Sequence, residues 1–472
     1  MVNLMKLSSG ISRARIVDDH TPPPHVRYVG LPKKSRDVVT QLKATSAGKL
    51  YSEHFKKYRL VQKLIRWAWR NIYPVYVIYI ADFRNRVEKR WRKLIKLSEY
   101  METSGVPATR LADAILVETP VPKVFPAHDK GCLVTPHEGY LFPPIYVATV
   151  SDGMVYGGSN LVLVKDVVIC HDLYIAAHDH TSEELHWHTL VDPGSLRIRF
   201  LLYDEMPEHL PAAASFVDAC APNYAHWLTE VLPRIAAFCA SEQFKAVPIV
   251  VNDGLHRNIM ESLFLVVGSE REIITLPIGR ALQVDALYLT SVAGYVPFGR
   301  RNNKLDGHSH GMFSPPAFEL IRKQVAPIVE KLPEQVWPEK IYLRRNSGAR
   351  KFTNAMELEE LLVAQGYDII EPEKLTFLQQ VQLFRNAKEI ISPTGAALSS
   401  AIFCNPGTRL GILMAKHENM IYGYWLNMLA PLHINISYVL GEVVKNHDLG
   451  IHADFSVDCS NVVELLKSWQ TK

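Results

Sequence analysis

The sequence predicts an α/β protein: two α/β units in series, preceded by a β-rich segment and a basic N-terminal extension. Three observations predict it. From about residue 213 and again from 340, short apolar runs alternate with amphipathic stretches of about a dozen residues, the pattern of parallel strands joined by crossover helices. The stretch 389–414, EIISPTGAALSSAIFCNPGTRLGILM, reads as strand, small-residue turn, helix, turn and strand. A chain of 472 residues also exceeds one ordinary core, so several domains are expected, divided at 1–110, 111–330 and 331–472.

Composition narrows the class. With 48% hydrophobic and 21% charged residues the chain is that of a folded soluble protein. A net charge of +4 is too small for a dedicated nucleic-acid binder, so no nucleic-acid partner is expected. Six scattered cysteines without a CxxC pair suggest free thiols in a reducing compartment. The N-terminus shows no apolar secretory core, and the longest apolar run, 72–81, carries Pro74 and is too short to span a bilayer. A cytoplasmic location is expected.

Taken in order, residues 1–50 are polar, with Pro22, Pro23 and Pro24, and read as a leader. Residues 54–96 are basic and amphipathic, with Trp67, Trp69 and Trp91 among Lys and Arg. They suit a solvated helical hairpin or, alternatively, a peripheral contact with an anionic membrane surface. The segment 117–211 reads as a β-meander, with strands at 146–150, 154–156 and 161–164 and a turn at 151–153. Its histidines, His171, His178, His180, His186 and His188, lack the spacing of a metal site, so structural roles are expected for them and no metal.

The first α/β unit has predicted strands at 248–251, 273–276 and 282–290, with helices from Asn223 and over 256–267. A polar loop at 300–307 and a helix at 318–331 follow. In the second unit, strands fall at 340–345, 367–370, 390–391, 410–414 and 433–439. Asn354 with Glu357, and Thr376 with Gln379, are the spacings of capping boxes that open helices to 365 and 386; a further helix is predicted over 418–429.

Ligands of parallel sheets sit at the carboxyl ends of the strands. That rule gathers Arg344, Arg345, Thr394 and Gly395, with Arg350 just beyond. Forked guanidinium donors beside a helix start suit a phosphate; a surface salt-bridge cluster is the plain alternative. On the helix from Asn223, the residues Asn223, His226, Glu230 and Arg234 share one stripe, while Leu228, Val231, Leu232 and Ile235 form a buried one. His226 or Glu230 could take a proton from a hydroxyl there, though a solvent-facing i,i+4 pair has the same spacing.

NYAHWLTEVLPR resembles the Asn-Tyr-x-His-Trp-x-x-Glu-x-Leu-Pro-Arg signature of glycosyltransferase family 61. IYLRRNSGARKFTNAMELEELL and EIISPTGAALSSAIFCNPGT are similar to two further family segments, in the same order. The resemblance implies a GT-B-like arrangement: two Rossmann-like domains across a cleft, with inverting chemistry, a nucleotide-sugar donor, and neither cofactor nor obligatory metal. Carried over, it puts the donor diphosphate on Arg344, Arg345 and Arg350 beside Thr394, Gly395, Ala396 and Ala397. Asn223, Trp227 and Arg234 fall on the acceptor side, with His226 or Glu230 as general base. Thr394 stands where the family usually has His, and Ala397 where it has Gly.

The expected function is therefore transfer of a sugar to a polysaccharide or glycolipid acceptor of capsule type, at the inner face of the cell membrane. The alternative is a non-catalytic nucleotide- or glycan-binding member of a polysaccharide-assembly complex. A dinucleotide oxidoreductase is disfavoured by the missing GxGxxG.

Overall fold

A computed structural model of the chain describes residues 25–29, 90–133, 139–185, 188–201, 207–297, 311–333, 335–346, 350–417, 420, 422–445 and 453–470. Most of the leader, residues 54–89 with Trp67 and Trp69, His186, the loop 300–307 and the start of the helix expected from 418 lie outside them.

Among the described residues the chain is a mixed α/β protein with two main sheets, of 12 and seven strands. In the first, Val26–Tyr28, Ile273–Leu276, Ile249–Asn252, Glu208–Ser215 and Ala281–Thr290 lie side by side and parallel. Ile145–Tyr156 then joins antiparallel and carries the sheet into the short strands Val162–Val164 and Val167–Cys170. In the second, Asp368–Ile370, Lys340–Leu343, Glu389–Pro393, Arg409–Ala415 and Asn435–Lys445 are all parallel. Lys123–Phe125 adds one more parallel strand, and Asp454–Ser456 closes the edge antiparallel.

Helices Leu232–Cys239, Arg257–Val267, Pro315–Val329 and Phe377–Asn386 pack between these sheets. Their apolar stripes meet in one core with Ile249 and Val251 of the first sheet and Ile341, Ile390 and Ile412 of the second. Ile235, Leu263, Phe318 and Phe384 there are fully buried, each stabilising by about 1.5–3 kcal/mol. Both parallel stacks thus share one helical layer. On the far side of the second sheet, Ala355–Ala364 and Cys459–Gln470 cover Tyr342, Ile391 and Leu413.

Several local expectations are corrected. Residues 92–96, read as part of a basic helix, are the strand Arg92–Lys96, paired with Val167–Cys170. Leu94 and Ile95 are adjacent and both buried, which the two faces of a strand allow. The turn expected at 151–153 is absent, because Ile145–Tyr156 runs through it as one strand. Gly153 serves there as a place where the strand presses on Leu287 and a Cβ would collide. Thr376 and Gln379 do form their capping box. Asn354 does not cap its helix: its amide donates to Val457 O at 2.8 Å and its carbonyl accepts from Val457 N at 3.1 Å. The helix at Ala396–Phe403 is of the tighter 3₁₀ type, with Ser399 Oγ bonded back to Ala396 O at 2.6 Å. No described helix is long and apolar enough to cross a membrane.

Candidate active site

Asn223 starts the helix that carries the NYAHW motif, its side-chain oxygen accepting from Ala225 N at 3.0 Å. The expected unbroken α-helix is instead interrupted by a π turn, Trp227–Val231, before Leu232–Cys239 resumes. Pro233 has no N–H to return to the carbonyl of Thr229, which is the position a wide turn relieves. Gly294 packs so closely on that carbonyl that a Cβ would collide with it. Leu228, Val231, Leu232 and Ile235 are fully buried, as the apolar stripe requires.

Across the π turn the polar stripe survives. His226 Nδ1 and Glu230 Oε1 are 2.5 Å apart, with side chains only 15% and 11% exposed. Arg234 Nε donates to Glu230 O at 3.0 Å, and its Nη2 reaches Asp218 Oδ2 at 3.3 Å. Burial pushes the Glu230 carboxyl above the usual carboxylate range, and His226 only partly offsets this. Burial opposes charge on His226 as well, but the Glu230 carboxylate outweighs it and holds the imidazole above its ordinary value. The pair therefore keeps a shared proton to higher pH than free side chains would.

Trp227, expected on the acceptor side, does not reach the surface. It is fully buried in the shared core, its indole N–H donating to Ser262 Oγ at 2.8 Å. The helical period that puts His226 at the surface turns its neighbour inward. Trp227→Phe is expected to remove the donor to that hydroxyl, which keeps its own bond to Ile259 O at 2.7 Å, and to lower stability by about 1–2 kcal/mol without moving donor or acceptor KM. Denaturant unfolding and steady-state kinetics of the one variant check both halves.

Glu230 and Arg234 line a cavity of about 70 Å³ at the carboxyl ends of Glu208–Ser215 and Ala281–Thr290. Asp218 is fixed at its edge: its backbone N–H donates to Asn252 Oδ1 at 2.9 Å and its Oδ1 accepts from Cys220 N at 2.9 Å.

At the second sheet the guanidinium groups divide. Arg344, expected on a diphosphate, is closed onto Glu359 through two bonds of 2.8 and 2.5 Å, with Glu371 at 3.5 Å. Alternate residues of an extended chain point apart, so Arg345 goes the other way. Its Nη1 donates to Thr394 O at 3.0 Å and lies against Gly395. Arg350 stands close by: burial, and then the charge of Arg345, lower its pKa to about 10. Among the described residues no carboxylate forms an ion pair with Arg350.

Thr394 is buried, and its hydroxyl accepts the indole N–H of Trp425 at 3.2 Å. Gly395, Ala396 and Ala397 are half-buried, and the first helix-type bond runs from Leu398 N to Gly395 O at 3.0 Å. The N–H groups of Ala396 and Ala397 begin the helix and have no partner within it. Gly395→Ala is expected to leave the fold intact, since its φ of 176° is open to any residue, while displacing the Arg345 guanidinium. Nucleotide affinity should fall several-fold, readable by calorimetric titration.

The two sides are docked together. Tyr224 OH lies 3.0 Å from Ser400 Oγ and donates to Gln380 Oε1 at 3.1 Å, seating the NYAHW helix on the turn behind Thr394. Tyr424 hydrogen-bonds Thr229 and lies near both Glu230 and Arg350. Tyr424, Asp218 and Glu183 escape a sequence reading because nothing local marks them, and His171 is read there as structural only. Only the position of Asp218, just past a strand end and shortly before the motif, could have suggested it.

A buried carboxylate–imidazole pair and the Arg350 guanidinium thus both lie near Tyr424. Residues 224–411 match the family model described as Glycosyltransferase 61, a family of enzymes. That match implies sugar transfer, and with it the binding of a sugar donor and an acceptor. No curated protein matches the chain.

Proposed function

We propose that the chain is an inverting glycosyltransferase with its two α/β units in a GT-B-like arrangement, moving a sugar from a nucleotide-sugar to a hydroxyl of a polysaccharide or glycolipid destined for the cell surface. The observation that carries this reading is the docking of the NYAHW helix on the turn at Thr394. It sets Glu230 at the wall of a cavity on one side and Arg345 and Arg350 on the other.

In this reading the donor diphosphate lies against Arg345, Arg350 and the N–H groups of Ala396 and Ala397. Glu230, which faces the cavity, takes the proton of the acceptor hydroxyl. The acceptor oxygen forms its bond to the anomeric carbon as the bond from that carbon to the diphosphate oxygen breaks, and the electron pair leaves on the phosphate. Two guanidinium groups stabilise that charge, in the place a divalent cation takes in other transferases. His226 shares the Glu230 proton and fixes its carboxylate, while Arg234 and Asn223 hold the helix in place.

Two measurements test this. Thermal shifts with UDP, GDP, CMP and TDP should show stabilisation by one nucleotide, insensitive to EDTA; no stabilisation by any of them contradicts the donor site. The pH profile tests the pair. The acid limb of kcat should lie above the ordinary carboxylate range, because burial disfavours the Glu230 anion. In His226→Gln the limb should move to still higher pH, since the imidazole that favours that anion is gone. A limb that stays in place would remove His226 from the pair's titration.

A further inference from the structure

The cavity beside Glu230 holds more chemistry than proton transfer uses. Glu183 is fully buried in its wall, its Oε1 accepting from Ser159 Oγ and Asn160 N, each at 3.0 Å. Asn160 Nδ2 passes on to Asp218 Oδ2 at 3.1 Å, and Arg234 links Asp218 to the backbone of Glu230. One continuous polar strip thus runs from Glu183 to the His226–Glu230 pair, with three carboxyl groups and a single guanidinium.

Opposite this strip is an aromatic corner. His171 is half-buried, 4.4 Å from the Tyr295 ring and 6.1 Å from Tyr174, centroid to centroid. Burial, with Arg234 and Lys96 nearby, lowers the His171 pKa to about 3, so this imidazole is neutral. Its Nδ1 has no hydrogen-bond partner, and neither has the hydroxyl of Thr290, which is 6% exposed in the same wall. Buried polar atoms left unpaired are costly and call for a partner from outside the protein.

We infer that this cavity receives the terminal sugar of an uncharged carbohydrate acceptor and excludes acceptors ending in an acidic sugar. The inference rests on the transferase reading above and names its acceptor class. A pyranose offers an apolar face for the aromatic corner and hydroxyls for His171 Nδ1, Thr290 and the polar strip. A uronate or sugar phosphate would bring another negative charge among three buried carboxyl groups whose only guanidinium already serves Asp218. Burial, reinforced by Asp218, already holds the Glu183 carboxyl above the usual range, which shows how strongly this wall disfavours negative charge.

The test is saturation-transfer NMR on the full chain with methyl glucoside, methyl galactoside, methyl xyloside and methyl N-acetylglucosaminide. Methyl glucuronide and methyl glucosaminide serve as charged counterparts. At least one neutral glycoside should bind and the glucuronide should not. Thr290→Val, which keeps the shape and removes the hydroxyl, and His171→Phe, which keeps a ring and removes Nδ1, should each weaken binding roughly two- to tenfold. Arg345→Ala should leave glycoside binding unchanged.

Equal or preferred binding of the glucuronide or the glucosaminide overturns the inference, as does neutral binding that neither cavity variant weakens. Nucleotide stabilisation with no glycoside bound overturns the inference but leaves the transferase reading standing. If neither nucleotide nor glycoside binds, both fall.

Discussion

Glu230→Gln is expected to lower kcat for sugar transfer by roughly 10²–10⁴-fold, the usual contribution of a positioned general base, with donor KM nearly unchanged. The amide keeps the size of the side chain and can still bond His226 Nδ1, so the helix and its π turn should persist. What it cannot do is accept a proton from the acceptor hydroxyl. The variant thus separates geometry from chemistry: thermal stability and nucleotide binding stay, and turnover goes. Glu230 is the better choice of base than His226, because the carboxylate lines the cavity while the imidazole ring stands behind it on Nδ1. If His226→Gln abolished turnover and Glu230→Gln did not, the roles would be reversed.

Arg345→Ala is expected to weaken nucleotide binding by roughly tenfold to a hundredfold, the effect of about 1.5–3 kcal/mol from lost charge-assisted bonds. Arg350→Ala should do the same, whereas Arg344→Ala should leave nucleotide affinity within a few-fold. The neighbours differ because Arg344 is held by Glu359 and Glu371, and its removal breaks a partly exposed pair of about 1 kcal/mol at most. Arg345 and Arg350 are instead partly desolvated, and the charge of Arg345 further disfavours that of Arg350. Calorimetric titration of the three variants reads the contrast directly. A large loss in Arg344→Ala with none in Arg345→Ala would return the diphosphate to Arg344, one of the three arginines that the sequence suggested.

Where local pattern decides structure, the sequence was legible. The parallel strands of the second sheet, the capping box at Thr376 and the buried stripe Leu228, Val231, Leu232 and Ile235 all follow from periodicity and cap chemistry. So did the i,i+4 pairing of His226 and Glu230, which one helical turn dictates. Three things depended on partners far along the chain. Arg344 and Arg345 look alike until Glu359 and Thr394 claim them separately. Asn354 has capping spacing, but Val457 takes its amide. Trp227 sits in the signature, yet its fate is set by Ser262 and the core around it. The cavity wall was the least legible part, because His171, Glu183 and Thr290 come from separate turns and strands that only the sheet brings together.

The central claim, that this site turns over a nucleotide-sugar, is tested most directly by nucleoside diphosphate release. The purified chain is incubated with a panel of nucleotide-sugars, with and without neutral glycoside acceptors, beside Glu230→Gln. Release from one donor, faster with an acceptor and lost in the variant, is the predicted result. A nucleotide that binds at Arg345 and Arg350 while no donor is ever cleaved would contradict it, and would make the chain a binding member of an assembly complex.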